Sequence, residues 1–247
     1  MILEWLISPM DAARPHEIGL ALSWHARFMV LSWGILAPLA IMMARFFKVL
    51  PGQDWPRELD SKIWWRSHWI SQSLVVALSV VGLAIILMSS QNSGTAVVHR
   101  LFGYAVLALA MVQAISGLLR GSKGGPTDRQ PYGSLRGDHY YMTRHRLIFE
   151  AVHKGCGYLA LILMVGAIAS GVWRANAPNW MWLSLVCCWS ILLVGAAYLQ
   201  RLGCAVDTYQ AIWGPDPGHP GNRMKKQGWG TRRPDFPQQS FKKQRET

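Results

Sequence analysis

Residues 25–48 read HARFMVLSWGILAPLAIMMARFFK. A histidine opens this stretch, a long apolar run follows it, and Arg45 and Lys48 close it. About 20 mostly apolar residues are enough to cross a membrane as an α-helix. An ionisable imidazole just inside such a helix is costly and indicates a functional role. The stretch therefore predicts a membrane-spanning helix that carries a functional histidine near its start.

The composition of the whole chain is that of a membrane protein. Of its 247 residues, 51% are hydrophobic and 15% are charged, whereas about a quarter of the residues of a soluble domain are charged. We predict an all-α integral membrane protein in which a four-helix cofactor-binding bundle is joined by one packing helix. The five predicted transmembrane helices cover about residues 20–47, 64–89, 97–119, 146–173 and 180–199.

The basic residues predict the orientation and the domain organisation. Most of the 25 Lys and Arg lie between helices 1 and 2, between helices 3 and 4, and after helix 5. The positive-inside rule then places the N-terminus outside and the C-terminus in the cytoplasm. We predict an outside segment at 1–18, a membrane domain at 19–200, and a basic cytoplasmic tail, rich in Pro and Gly, at 201–247. The tail is expected to have little packed core of its own.

This distribution of charge also bears on partners and location. The net charge of +12 is explained by membrane orientation, so lipid is an expected partner and nucleic acid is not. The N-terminus lacks the pattern of a signal peptide and the loops are short. A bacterial inner membrane is the location that we expect from these two features.

Four histidines lie near the starts of helices 1 to 4, one in each: His25, His68, His99 and His153. Because the helices alternate in direction, His25 and His99 share the outer depth, and His68 and His153 share the inner depth. A single histidine would be equally well explained by a structural hydrogen bond. Two at each depth fit haem iron, which takes two axial ligands, better than zinc, which takes three or four protein ligands.

Small residues accompany the histidines on the same helix faces, where they would leave room for a flat macrocycle. Ordinary packing of small residues between membrane helices is the alternative explanation. The glycines concerned are Gly82 in helix 2, Gly103 and Gly117 in helix 3, and Gly157 and Gly171 in helix 4.

These segments resemble the cytochrome b561 family, especially the five-helix membrane domain of its DOMON-linked members. The resemblance covers about residues 20–200, and three strings besides 25–48 carry it. They are HWISQ at 68–72, HRLFGYAVLALAMVQAISGLLR at 99–120 and HKGCGYLALILMVGAIASG at 153–171.

The resemblance implies two non-covalent haem b groups and the transfer of single electrons across the membrane. It implies that His25 and His99 ligate the outer haem iron and that His68 and His153 ligate the inner one. The electron donor and acceptor would lie on opposite faces. A soluble DOMON-like partner would be a separate chain, such as a periplasmic redox protein.

Three cations near the histidines are candidates for binding haem carboxylates, namely Arg27, Arg100 and Lys154. A cation and a propionate form a strong, charge-assisted hydrogen bond. The alternative is a side chain that reaches from a helix end to the membrane interface. Glu150, four residues before Lys154, is expected to pair with it.

The start of helix 4 carries a further basic group, Arg144, His145 and Arg146. These residues could hold an anionic donor at the inner mouth of the bundle. An ordinary positive flank of a membrane helix is the favoured interpretation.

Two other functions remain open at this point. A quinol-linked cytochrome b subunit would need a quinone pocket beside one haem. A haem-bearing accessory subunit would use helix 5 and the basic tail as binding surfaces within a larger membrane complex. The sequence does not decide whether the protein is an enzyme, such as an ascorbate- or quinol-dependent reductase.

Overall fold

The computed structural model of the protein describes residues 1–16, 18–89, 96–120 and 143–235. Within these ranges the chain is helical and forms no extended strand. Five of its helical segments are long and apolar enough to span a membrane, which confirms the predicted all-α membrane fold. Most of the basic loop between helices 3 and 4, at 121–142, and the end of the basic tail, at 236–247, lie outside the described ranges.

The helices follow one another in a simple order. Helix α1 (Ile2–Ile7) precedes the first span, which consists of α2 (Leu20–Met29), a π-helical segment (Val30–Leu36) and α3 (Ala37–Phe46). The second to fifth spans are α4 (Ile63–Leu87), α5 (Val97–Leu118), α6 (Arg144–Arg174) and α7 (Asn179–Arg201). Two short helices follow in the tail, α8 (Thr208–Trp213) and α9 (Pro220–Arg223).

The spans present large apolar side chains to the outside of the bundle. Ile162 and Leu193, for example, are 69% and 71% exposed. In water such a surface would be unfavourable, but lipid is as apolar as these side chains. A smaller apolar core, which includes Val75, Val106 and Met164, lies between the spans. The bundle is therefore built for a membrane environment.

The first two spans pack antiparallel to each other. His25, near the start of the first span, contacts Gly82 near the end of the second. His68, near the start of the second span, contacts Ala40 in the second half of the first. The third span packs mainly on the fourth, and the fifth span packs on the first, as expected for a helix without histidines.

The π-helical segment of the first span is explained by Pro38. Proline has no backbone N–H, so Pro38 cannot donate to the carbonyl of Gly34 four residues earlier. The indole Nε1 of Trp189, on the fifth span, donates to that carbonyl instead, at 3.1 Å. The side chain of Trp33 in the same segment donates to Ser79 Oγ on the second span at 2.9 Å. The irregular segment thus joins three spans.

The tail differs from its expected structure. Residues 205–215 are buried, and Tyr209, Ile212 and Trp213 form a core cluster of their own. The expectation of little packed core was therefore wrong for this part of the tail. Its Pro- and Gly-rich composition concealed a compact segment that folds back on the bundle.

The tail packs against the loop between the first two spans, and we call residues 47–62 and 203–235 together the tail cap. Lys48 Nζ donates to the carbonyl of Val206 at 3.0 Å, and the amide of Asp60 donates to the carbonyl of Ala211 at 3.1 Å. Burial, with the nearby positive charge of Lys154, lowers the pKa of Lys48 to about 7. With this pKa, the buried lysine that contacts the tail is about half protonated near pH 7.

Candidate cofactor-binding sites

The four histidines come together as two pairs, one towards each end of the bundle. In the outer pair, the ring centroids of His25 and His99 are 6.1 Å apart and the ring planes are at 83°. In the inner pair, the centroids of His68 and His153 are 6.3 Å apart and the planes are at 72°. Each pair draws its two histidines from helices that are not consecutive along the chain.

The Nδ1 atoms of three of these histidines contact backbone carbonyls of a neighbouring helix. The acceptors are Gly82 O for His25 at 2.8 Å, Ala40 O for His68 at 2.9 Å, and Ala167 O for His99 at 2.9 Å. A carbonyl oxygen can only accept, so Nδ1 carries the proton in each ring. The lone pair of Nε2 is then available, as in histidines that bind metal ions.

In His153, the Nδ1 atom contacts a side-chain hydroxyl instead of a backbone carbonyl. Its Nδ1 lies 3.1 Å from Ser116 Oγ, and the Ser116 hydroxyl donates to the carbonyl of Gln113 at 3.1 Å. The hydroxyl hydrogen is thus engaged, so Ser116 Oγ accepts a hydrogen bond from Nδ1–H. Gln113 Nε2 also donates to the backbone carbonyl of His153 at 2.7 Å. The orientation of this imidazole is therefore fixed from the third span.

The spacing within each pair fits one metal ion between two imidazoles. Two metal–nitrogen bonds of about 2 Å each, with the distance from each nitrogen to its ring centre added, give a centroid separation of about 6 Å. Within the described ranges no group of three or more His, Cys, Asp or Glu could hold a metal ion. The donor set therefore fits a two-ligand centre such as haem iron and does not fit a zinc site.

The glycines on the histidine faces serve two different purposes. A Cβ on Gly171 would lie 2.9 Å from Cε1 of His99, and one on Gly157 would lie 3.1 Å from Nε2 of Gln113. These glycines therefore allow close packing around the histidines. A Cβ on Gly103 or Gly117 would have no neighbour within 4 Å. Of the five glycines on the histidine faces, these two border open space.

The three predicted carboxylate-binding cations have different surroundings. Arg27 is exposed, and its guanidinium lies over the ring of Trp24 at 5.0 Å. Arg100 is half-buried beside His99. Lys154 donates to Glu150 Oε2 at 2.6 Å, which confirms the expected pairing of those two residues. Their roles towards a cofactor stay predictions.

The basic group at the start of the fourth span is divided by the fold. Arg144 is exposed, His145 Nε2 contacts the carbonyl of Leu119 at 2.6 Å, and Arg146 is buried.

Two residues that contact His153 were not predicted from the sequence. Ser116 Oγ lies 3.1 Å from Nδ1 of His153, and the ring of Phe149 lies 5.0 Å from the imidazole. Neither has a signal in the sequence, because each acts through a contact that only the packing of the helices defines.

Comparison with known proteins identifies relatives of this membrane domain. A family model described as eukaryotic cytochrome b561 matches residues 24–122. The chain is 27% identical over 169 residues to a cytochrome b561, DM13 and DOMON domain-containing protein of Arabidopsis thaliana, covering 68% of this chain and 16% of the relative. It is 25% identical over 182 residues to a cytochrome b561 and DOMON domain-containing protein of the same plant, covering 71% and 34%.

The chain thus spans at most about a third of the length of these two relatives. No solved structure matches it. The family match includes three of the four paired histidines, His25, His68 and His99. With its five apolar spans, this membrane domain is similar to the cytochrome b561 family over residues 24–122 and to the membrane parts of these two relatives.

Proposed function

We propose that this protein holds two b haems, one at each histidine pair, and carries single electrons between them across the membrane. The observation that supports the proposal is the pair geometry. Two imidazoles face each other at about 6 Å at both ends of the bundle. Each imidazole also has its Nδ1 engaged, which leaves Nε2 available to a metal ion.

The two pairs lie at different depths in the bundle. His25 lies near the start of the first span, and His68 contacts that same span at Ala40, fifteen residues after His25. At the helical rise per residue, these two levels are about 22 Å apart. Two macrocycles divided between these levels would bring their edges closer together than that. The separation therefore suits electron transfer from one face of the membrane to the other.

The protein's own residues would fix the ligands and exclude other chemistry. Haem iron would supply the one-electron ferric–ferrous couple. The hydrogen bonds from Nδ1 hold each imidazole in one orientation and tautomer. Two histidines per site would supply both of the protein ligands that haem iron takes, which would leave no position open to oxygen or substrate. This is the ligand set of an electron carrier and differs from that of an oxygen-activating centre.

The redox partners belong to the two faces of the membrane. The basic loops and tail favour a cytoplasmic location for the inner pair and the C-terminus. The donor and acceptor would then meet the protein on opposite sides, either directly or through a separate redox protein. Membrane lipid would surround the apolar outer surface of the five spans.

The test is electron transfer into sealed liposomes that contain the purified, haem-loaded protein. Ferricyanide is enclosed in the vesicles, dithionite is added outside, and the loss of ferricyanide absorbance is followed by stopped flow. We expect fast reduction with the wild-type protein and leak-level reduction with His25→Ala or His153→Ala. Equal rates for the wild type and both variants would contradict the proposal.

A further inference from the structure

Arg146 has a buried hydrogen-bond donor for which the described part of the chain provides no acceptor. Its side chain is on α6, and only 8% of the residue is exposed. Its Nε donates to Glu150 Oε1 at 3.3 Å, but its Nη1 has no hydrogen-bond partner in the part of the chain that the structure describes. An unsatisfied buried donor is costly, and more so when it belongs to a charged group. An acceptor from outside the protein chain would remove this cost.

The position of Arg146 links it to the inner histidine pair. Arg146 precedes His153 by seven residues, so the two lie on the same face of α6, two turns apart. Phe149 lies between them, with its ring 5.1 Å from Cζ of Arg146 and 5.0 Å from the imidazole of His153. The guanidinium is therefore on the side of the inner pair that leads towards the start of α6.

Positive charge exceeds negative charge around this point. Glu150 is buried and is shared by Arg146 and Lys154. Arg120, at the end of the third span, is close enough to respond to Arg146. Burial first, and then the charge of Arg146, lower the pKa of Arg120. Glu150 thus pairs with two cations, and Arg120 adds further positive charge near Arg146, which favours the binding of further negative charge here.

We propose that Arg146 binds a carboxylate through its Nη1, and that this carboxylate is a propionate of the haem at the inner histidine pair. The assignment rests on the proposed function. It differs from the predicted role of Lys154, whose ammonium already bonds to Glu150. Arginine can use one nitrogen for Glu150 and another for a second carboxylate, because its guanidinium has five donors in a fixed fork.

The test compares Arg146→Gln with Arg144→Gln in the haem-loaded protein. Arg144 is two residues away on the same helix and is exposed, so it is the matched control. The midpoint potential of each haem is measured by redox titration, and the haem that is lost in His153→Ala identifies the inner site. Resonance Raman spectra report the propionate-bending bands.

We expect Arg146→Gln to lower the potential of the inner haem, because a lost positive charge favours the more positive ferric state. The inner propionate band should shift, while the outer haem keeps its potential. Arg144→Gln should change neither. Arg146→Lys keeps the charge and loses the fork, so its potential should stay near that of the wild type while the propionate band shifts.

Each contrary outcome identifies what has failed. If the wild type holds two haems but Arg146→Gln and Arg146→Lys keep wild-type potentials and bands, the assignment of Arg146 is overturned and the proposed function stands. A free carboxylate as the ligand would also overturn it, and would appear as an effect of Arg146→Gln only when citrate is added. A wild-type protein without haem at the inner pair would instead overturn the proposed function.

Discussion

Gly171 determines whether the imidazole of His99 can occupy its place in the outer pair. A Cβ at this position would lie 2.9 Å from Cε1 and 3.0 Å from Nδ1 of His99. We therefore expect Gly171→Ala to displace the imidazole and to reduce the haem content from about two per chain to about one, since two axial ligands are needed at each haem. A pyridine haemochrome assay on the purified variant measures this content.

Gly155→Ala is the matched control for this change. Gly155 lies on the same helix, is exposed, and would place its Cβ in open space. It should retain the full haem content and should fold at least as well, because alanine is the better helix former. Equal haem contents in the Gly171→Ala and Gly155→Ala variants would show that His99 does not depend on this close contact.

Lys48 should make the stability of the protein depend on pH. Its pKa is lowered from the ordinary value of 10.5 to about 7, chiefly by burial. Between these two values the unfolded state binds more protons than the folded state, so stability rises with pH, by as much as about 1 kcal/mol per pH unit. Below pH 7 the lysine is protonated in both states, and its contribution no longer changes with pH.

Lys48→Met isolates this effect from other titrating groups. Thermal unfolding midpoints in detergent are measured for the wild type and the variant from pH 7.5 to pH 10. The wild-type midpoint should rise relative to that of Lys48→Met across this range. Parallel curves for the two proteins would mean that the lysine is charged in the folded state throughout.

At the level of single helices, the first span owes its π-helical segment to the missing N–H of Pro38. Trp189 donates to the Gly34 carbonyl that Pro38 leaves without an α-helical partner. Trp189→Phe should lower the free energy of unfolding by about 1–2 kcal/mol, the cost of a buried acceptor that loses its partner. Chemical unfolding in mixed micelles, followed by tryptophan fluorescence, provides this value.

A double-mutant cycle with Pro38→Ala tests the cause. Alanine restores a backbone N–H at position 38, which can donate to Gly34 in a regular α-helix. The loss caused by Trp189→Phe should therefore be smaller in the Pro38→Ala background. Additive effects would show that Pro38 is not the reason for the dependence on Trp189.

The helices themselves could be predicted because each span is a long apolar run, and length and hydropathy are properties of the sequence alone. The second span, for example, is predicted at 64–89 and observed at Ile63–Leu87. The π-helical segment could not be predicted, because a proline inside a membrane helix is compatible with several local structures. The partner that decides among them, Trp189, is 151 residues from Pro38 in the sequence.

For the molecule as a whole, the tail cap depends on a buried ion pair. Asp207 is fully buried, accepts from the amide of Tyr209, and binds the guanidinium of Arg233. Breaking a buried pair by removing one charge costs about 3–5 kcal/mol. Asp207→Asn should therefore raise amide hydrogen exchange in residues 205–214 on the order of 100-fold, a factor that corresponds to the lower end of this cost.

Asp54→Asn is the control for the tail cap. Asp54 also pairs with an arginine, Arg57, but that pair is 3.5 Å long and exposed on both sides, where such a pair contributes little. Hydrogen exchange followed by mass spectrometry should show no change in residues 205–214 for this variant. An equal increase for the two variants, or none for Asp207→Asn, would mean that the ion pair does not hold the cap.

The juxtaposition of the histidines could be predicted from the alternating direction of the spans. The side-chain contacts beside the histidine pairs could not be predicted from the sequence. The buried Nη1 of Arg146 and the hydroxyl of Ser116 obtain their positions from the rotation of each helix about its axis, which similar apolar side chains on all faces leave undetermined. The folded tail was missed because its polar composition resembles that of an unfolded segment.

The most direct test of the central claim is a redox titration of the purified protein, followed by its visible spectrum, with each of the four histidines changed in turn to alanine. The wild type should contain two b haems. His25→Ala and His99→Ala should lose one component, and His68→Ala and His153→Ala should lose the other. A single haem in the wild type, or the loss of the same component in His25→Ala and His68→Ala, would contradict the account of two separate sites.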